Sequence, residues 1–314
     1  MRSHQKTERD GRARCIGTWL APGLFLLSLA AWAPCWPAAE AQQDLAGTAA
    51  YLQIGMGARA LAMGGAFVAV VDDATALYYN PAGLAALNGY EVTSFYSTEY
   101  GASSYGALGF AGPSFGLGLT YFTSTGIPET DAYANETGRF DLKAGSGMLG
   151  FGTQVGPLLL GTNATYVADK LHSGAGAGVT GTVGALLKLG PVRLGAAARQ
   201  VAGEMRYASG ADPFDPVYAI GAAVEARGVT LAAEYEALAF AGGRTQRRSA
   251  RAGAEAWLGG SFALRAGAWY DLDNEELNAS AGMGVRIGAA RIDYAYHAPQ
   301  RLAGTHRLSL SILL

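Results

Sequence analysis

The sequence predicts an all-β protein, a 14-stranded antiparallel transmembrane β-barrel preceded by a short N-terminal hatch or plug segment. Three observations support this prediction. From Tyr90 to Leu314 the chain divides into fourteen segments in which large apolar residues alternate with small or charged ones. Every second connection between these segments is a tight glycine turn. Glycine contributes 45 of the 314 residues and only 15% are charged, a composition that suits a tightly filled barrel better than a helical protein.

The first segment, residues 1–41, is expected to be a secretory signal peptide. Five basic residues precede the apolar stretch 16–32, and Ala39-Glu40-Ala41 provides an A-x-A cleavage pattern. A transmembrane anchor helix is the alternative, although prolines such as Pro22 interrupt the stretch. Both cysteines lie in this segment, so a mature chain beginning at Gln42 would carry no thiol, as suits an oxidising compartment.

Residues 42–88 are expected to form the hatch or plug, because they are too apolar for a free tail and too short in apolar run for a spanning helix. The pattern predicts a short helix from Ala58, a brief strand near Phe67, a helical turn capped by Asp73 and an Asn-Pro turn at Asn80. Direct ligand contact by the polar residues is the alternative to this structural role. The motif residues expected to shape the segment are Gly57, Gly64, Gly65, Asp72, Asp73, Asn80, Pro81 and Gly83.

The barrel is assigned to residues 89–314. Outer-membrane barrels have brief periplasmic turns and longer external loops, and an even strand count places both ends of the barrel on the periplasmic side. The predicted tight turns are Gly112-Pro113, Gly156-Pro157, Gly190-Pro191, Arg227-Gly228, Gly259-Gly260 and Gly288-Ala289. The predicted longer loops are 124–138, 169–178, 202–216, 238–246, 271–276 and 297–305.

Charged residues share one parity along these strands, and large apolar residues share the other. An Arg or Lys facing the middle of a bilayer costs about 2 to 4 kcal/mol, so the charged parity is expected to line the lumen. These charges could form cross-strand ion pairs that anchor the hatch, or they could line an ion-selective channel. The residues expected inside are Arg193, Arg199, Glu225, Glu234, Glu236, Arg251, Glu255, Arg265, Arg286, Arg291, Asp293 and Arg307, together with Arg227 and Asp271.

The run from Gly57 to Leu84, which contains MGGAFVAVVDDATALYYNPAGL, resembles the N-terminal signature of PorV/PorQ-type outer-membrane proteins. These are relatives of the FadL fatty-acid transporters. The resemblance implies a fourteen-stranded barrel with an internal hatch, placed in the bacterial outer membrane.

Two functions follow from the resemblance. The PorV/PorQ link to type IX secretion implies a plugged scaffold or accessory that binds secreted or surface-attached client proteins. The alternative is a FadL-like passive transporter for long-chain fatty acids or other hydrophobic compounds, which would pass through a hatch movement and a lateral gap in the wall. The expected partners are therefore outer-membrane lipid and either client proteins or hydrophobic small molecules.

Other classes of function have weak signals. A net charge of −2 with no basic patch gives no indication of nucleic-acid binding. Gly55-x-Gly57-x-x-Ala60 imitates a dinucleotide fingerprint, but no βαβ unit surrounds it, and no cofactor or metal is expected. Catalysis is not expected either, although Asp293 and His297 lie four apart on one strand and could imitate a hydrolase pair. A soluble β-sandwich or solenoid is the alternative fold.

Overall fold

A computed structural model describes residues 48–99, 103–171, 174–239, 246–298 and 304–314, all of which belong to one unit, 39–314. The predicted signal peptide, 1–41, lies outside the described residues. Within the described ranges, no helix is both long enough and apolar enough to cross a membrane.

Fourteen antiparallel strands of the described residues form one closed barrel, as predicted. Each wall strand pairs with the wall strands before and after it, and residues Glu91–Glu99 close the ring against Thr305–Leu313, with Glu91 opposite Leu313. Closure leaves no sheet edge unpaired. The described residues form these fourteen strands and two further short ones, β8 and β9. In chain order they are β1 (Glu91–Glu99), β2 (Ser103–Gly112), β3 (Phe115–Thr130), β4 (Glu136–Val155), β5 (Leu158–Leu171), β6 (Gly174–Leu189), β7 (Val192–Arg199), β8 (Glu204–Tyr207), β9 (Gly210–Pro213), β10 (Val217–Ala226), β11 (Val229–Ala239), β12 (Gln246–Leu258), β13 (Phe262–Asp271), β14 (Glu276–Ile287), β15 (Ala290–Ala298) and β16 (Thr305–Leu313).

Strands β8 and β9 are not part of the barrel wall. They form a small hairpin inside the predicted loop 202–216, and β8 pairs with the outer end of β6. The predicted loops 124–138 and 169–178 are also too long, because the neighbouring strands continue through most of them. Of the predicted loop 238–246, residues 240–245 lie outside the described residues. Outside the bilayer both faces of a hairpin meet water, so the strands extend without the apolar alternation by which a sequence reveals them.

The tight turns lie where the sequence places them. Gly156, Gly190 and Gly288 have φ values of 60°, 61° and 59°, which a residue without a Cβ adopts at low cost. The last strand shows how the faces are divided. Leu308 and Leu310 are exposed on the outer surface, whereas Arg307 and its neighbours of the same parity are buried inside. This division suits lipid outside and a packed interior within.

Residues 48–90, here called the N-terminal segment, pack inside the barrel. Helix α1 (Ala58–Ala62) lies against β13 to β16, and a 3₁₀ helix (Pro81–Ala86) lies against β3 to β6. A second α-helix, α2 (Ala76–Tyr79), and a 3₁₀ helix (Ala50–Gln53) complete the segment. The prediction of a strand near Phe67 is wrong. The backbone N–H groups of Phe67 and Val68 donate to the Glu234 carboxylate at 2.8 Å instead of to a neighbouring strand.

Candidate functional site

The glycines of the N-terminal motif lie where the segment touches the barrel wall or itself. A Cβ on Gly64 would lie 2.8 Å from the backbone nitrogen of Ala268 in β13. A Cβ on Gly65 would lie 2.7 Å from the Arg251 guanidinium, and one on Gly83 would lie 2.8 Å from the Cβ of Val71. Gly57 begins α1 at a φ of 89°. These positions leave no room for a larger residue.

Asn80 joins the segment to itself and to the wall. Its side-chain amide donates to the carbonyl of Val68 at 2.9 Å and to that of Ala185 in β6 at 3.0 Å, and its oxygen accepts from the backbone N–H of Ala82. Pro81 follows as the first residue of the 3₁₀ helix, where a missing N–H costs nothing. Both residues therefore fix backbone geometry inside the lumen.

One group of buried charges ties the segment to β12, and it centres on Arg59. The Arg59 guanidinium donates to both carboxylate oxygens of Glu255 at 2.8 Å, contacts Asp73 at 3.0 Å and pairs with Asp72. Glu255 in turn pairs with Arg265 at 2.6 Å. Arg59 and Glu255 are 7% and 1% exposed, so each charge depends on its partners rather than on water.

The same network continues to β1 and β15. Arg291 pairs with Asp73 and Glu91 at 3.2 Å and with Asp293 at 2.9 Å, and Asp293 also pairs with Arg265 at 2.8 Å. Burial alone would raise the pKa of Asp73, but the Arg291 and Arg59 guanidinium groups hold it below its ordinary value. Asp73 is therefore ionised and shared between the segment and the wall.

A smaller group lies at the rim of the tight turns. Arg193 donates to the carbonyl of Val70 at 3.2 Å, pairs with Glu225 at 3.2 Å and lies 3.7 Å from Asp72. Glu225 is half exposed. Arg286, also exposed, stacks over the Trp257 ring at 4.4 Å, so this charge is held by an aromatic face.

Another group of charges lies nearer the external loops. Glu236 pairs with both Arg199 and Arg251, and Arg199 lies over the ring of Tyr78 at 5.5 Å. Across the lumen, Arg307 lies 3.6 Å from Glu99. These contacts are ion pairs between strands and between a strand and the N-terminal segment. They match the first alternative of the sequence analysis, in which the lumen charges pair across strands and anchor the hatch.

A cavity of about 150 Å³ lies between the group formed by Arg199, Glu236 and Arg251 and the N-terminal segment. Its apolar lining includes Leu52, Ile54 and Leu61 of the segment and Met148 of β4. Polar groups line the rest of the wall. They are Glu99, Asn163, Thr165, Thr180, Thr182, Arg199, Gln200, Glu236, Arg247, Ser249, Arg251, His297 and Arg307, beside Trp269.

Asp293 and His297 do not form a catalytic pair. Asp293 is occupied by Arg265 and Arg291, whereas His297 stacks on Trp269 with ring centroids 4.4 Å apart. The described residues also include no group of three or more His, Cys, Asp or Glu that could hold a metal ion.

A groove of about 630 Å³ marks the outer surface over β1 to β6. Its lining is apolar, with Leu108, Leu117 and Leu149 exposed to the lipid side. Glycines at positions 109 and 118 leave the wall without side chains there. Met148 lines both this groove and the interior cavity, and at this point β3 and β4 remain paired, with Gly118 opposite Met148.

A family model matches residues 29–193, just over half of the 314-residue chain, and it describes the uncharacterised protein family UPF0164. The chain belongs to this family. No curated protein matches the UPF0164 chain significantly.

Solved structures share the fold of this UPF0164 protein. The toluene transporter TodX of Pseudomonas putida superposes with a TM-score of 0.60 at 15% identity, covering 83% of this chain and 99% of that one. The monoaromatic hydrocarbon channel CymD gives 0.58 at 15% identity, with 83% and 97% covered. A FadL homologue of Pseudomonas aeruginosa gives 0.54 at 12%, with 82% and 97% covered. At these identities the likeness establishes a common fold, the FadL-type outer-membrane barrel.

Several residues of the network escaped the sequence analysis. Arg59 lies within the run from Gly57 to Leu84 but has no predicted role, and Glu91 and Glu99 of β1 have none either. Two signals in the sequence point to these residues. Arg59 is a cation inside an otherwise apolar helix, and Glu91 and Glu99 are acids an even number of residues apart on a strand whose opposite parity faces lipid. Their partners on the wall lie about 200 residues away along the chain, and those of Glu91 and Glu99 depend on the closure of the ring at β1 and β16.

Proposed function

We propose that this protein is a passive channel of the bacterial outer membrane for small hydrophobic molecules, and that residues 42–88 act as its hatch. The observation that carries the proposal is the interior cavity, which is enclosed by the barrel wall and floored by the N-terminal segment. A cavity of about 150 Å³ is large enough for one benzene-sized ring. The fold shared with hydrocarbon channels supports the same class of cargo.

At rest the channel is closed. The N-terminal segment fills the lumen on the side of the tight turns. Arg59 ties it to Glu255 of β12, and Asp73 ties it to Arg291 of β15. A wide aqueous pore is incompatible with this packing. We therefore expect low steady ion conductance, with cargo passing only when the hatch or the wall yields.

The wall at Met148 is the proposed exit to the membrane. A hydrophobic molecule that left here would enter the apolar groove and then the lipid. It would avoid the periplasmic water, whose contact with apolar surface costs free energy. Because β3 and β4 are paired at this point, the exit requires the two strands to part locally as well as the flexible Met148 side chain to move. Met148→Trp should fill this point and slow the release of ligand into the membrane.

A protein-binding scaffold is the second candidate, and one observation favours it. Strands β3 and β4 project into a polar hairpin that carries Tyr133 at its tip with 87% of its surface exposed. Such an aromatic residue on an exposed hairpin is a plausible contact for a client protein. The role in secretion that the PorV/PorQ resemblance implies would use this external surface rather than the cavity.

Uptake of radiolabelled toluene by cells that lack or carry the protein tests the channel. Thr182→Trp fills the cavity, whereas Val183→Trp, the adjacent residue on the outer face, serves as the matched control. The detergent-resistant mobility shift on heating verifies that both variants fold. The channel predicts uptake lost with Thr182→Trp and retained with Val183→Trp. Equal uptake with and without the protein, combined with loss of a surface-attached protein on deletion, would favour the scaffold instead.

A further inference from the structure

His297 lies on the cavity wall with its imidazole unsatisfied. It is 1% exposed, and neither ring nitrogen has a hydrogen-bond partner among the described residues. Buried polar groups almost always have such partners. In a neutral imidazole, one of the two ring nitrogens, Nδ1 and Nε2, donates a hydrogen bond and the other accepts one. The ring is held in place by Trp269, at 4.4 Å between centroids, so a polar group is fixed beside an aromatic face.

Other unsatisfied polar atoms line the same cavity. Oγ1 of Thr180, Oε1 of Gln200 and Nε of Arg307 are buried and have no hydrogen-bond partner in the described parts of the chain. A cavity that served only a hydrocarbon would gain nothing from four such residues, since each unsatisfied polar atom carries a desolvation penalty. The lining therefore favours a ligand that forms hydrogen bonds.

The charges around the cavity are already paired. Arg199 and Arg251 share Glu236, Arg307 faces Glu99, and Arg247 pairs with Asp271 at 3.2 Å. An anionic ligand would compete with these carboxylates for the guanidinium groups, whereas a neutral hydroxyl group would not. A hydroxyl donates one hydrogen bond and accepts others, which matches an imidazole that offers both roles.

From these three observations we infer that the cavity selects a neutral single-ring molecule that bears a hydroxyl group, of the phenol type. Its ring packs on Trp269, and its hydroxyl bonds to His297. The inference rests on the proposed function and narrows the class of cargo. It separates this protein from a channel for plain hydrocarbons, because the polar contact makes recognition depend on one oxygen atom.

Equilibrium dialysis against the full protein in nanodiscs tests the inference, with empty nanodiscs subtracted. Labelled p-cresol and toluene differ by one hydroxyl, and p-toluate carries a carboxylate on the same ring. One neutral hydrogen bond contributes about tenfold to affinity, so p-cresol should bind about ten times more tightly than toluene. p-Toluate should bind no more tightly than toluene.

His297→Phe keeps an aromatic ring against Trp269 and removes both nitrogens. It should bring the affinities for p-cresol and toluene to about the same value, and toluene that still binds shows that the cavity is intact. The matched control is His306→Phe, because His306 is exposed on the outer face, where its Nδ1 lies 2.7 Å from the Tyr294 hydroxyl. This control should retain the tenfold preference.

Equal binding of toluene and p-cresol to the unaltered protein would overturn the inference while leaving the proposed channel standing. Tighter binding of p-toluate would overturn it as well, since the ligand would then be an anion. If none of the three compounds binds and toluene uptake is absent, the proposed function fails together with the inference. A Trp269→Leu variant that weakens p-cresol and toluene alike would support the placement of the ring, and unchanged affinities would contradict it.

Discussion

Arg59→Met tests whether the buried charges hold the N-terminal segment in the lumen. Methionine keeps an unbranched, flexible stem but leaves Asp72, Asp73 and Glu255 without the cation that links them. Breaking a buried ion pair costs about 3 to 5 kcal/mol. The lower value applies here, because Glu255 retains Arg265 and Asp73 retains Arg291.

A loss of about 3 kcal/mol raises the population of the detached hatch roughly a hundredfold, since about 1.4 kcal/mol corresponds to a factor of ten. Single-channel recording in planar bilayers measures this population as the fraction of time spent in a conducting state. Arg139→Met is the control, because it breaks an exposed ion pair with Glu136 that should contribute little. If Arg59→Met opens no more often than this control, the network does not hold the hatch.

Three further perturbations have defined outcomes. Gly64→Ala places a Cβ 2.8 Å from the Ala268 backbone, whereas Gly190→Ala, the control, has a similar φ and meets nothing within 4 Å. Only Gly64→Ala should markedly lower the fraction of heat-shifted barrel, and equal yields of the two variants would contradict the packing. The depressed pKa of Asp73 means that its stabilisation is complete above about pH 4 and is lost as the pH falls through the folded-state value. Protease protection of the hatch should therefore weaken only in acid, and Asp73→Asn should be weakly protected at every pH; uniform protection of the unaltered protein down to strong acid would refute this. Asn80→Ala removes hydrogen bonds to two carbonyls and one N–H, together about 3 kcal/mol, and should lower barrel yield, whereas normal folding with transport alone lost would assign Asn80 a role in transport instead.

The wall of the barrel could be predicted because its physics is local. Along a strand such as β16, Leu308 and Leu310 alternate with Arg307 and Ser309. Because successive side chains of a strand point to opposite faces, this two-residue period indicates which face is turned to lipid. The turns were equally visible, since Gly190 or Gly288 marks a reversal by its own backbone freedom. Strand ends beyond the bilayer carried no such signal, so β3 and β4 extend further than expected.

The interior could not be predicted in the same way. The sequence assigns Glu234 to the lumen but cannot show that its carboxylate accepts the backbone N–H groups of Phe67 and Val68, which replaces the strand expected there. Nor does it show that His297 turns away from Asp293 towards Trp269. These contacts depend on which strands meet across the lumen and on how the N-terminal segment is folded, and both are set by the closed ring as a whole.

Cross-linking provides the most direct test of a barrel that holds its own N-terminal segment inside. The Ala58 backbone N–H donates to the Ser309 hydroxyl at 2.8 Å, and both natural cysteines lie in residues 1–41. With cysteines at positions 58 and 309, a short thiol-specific reagent should link the two sites in outer membranes and shift the band on non-reducing gels. Cysteines at 58 and 310 should not be linked, because Leu310 faces lipid. Linkage through 310 in place of 309, or through neither, would contradict the account.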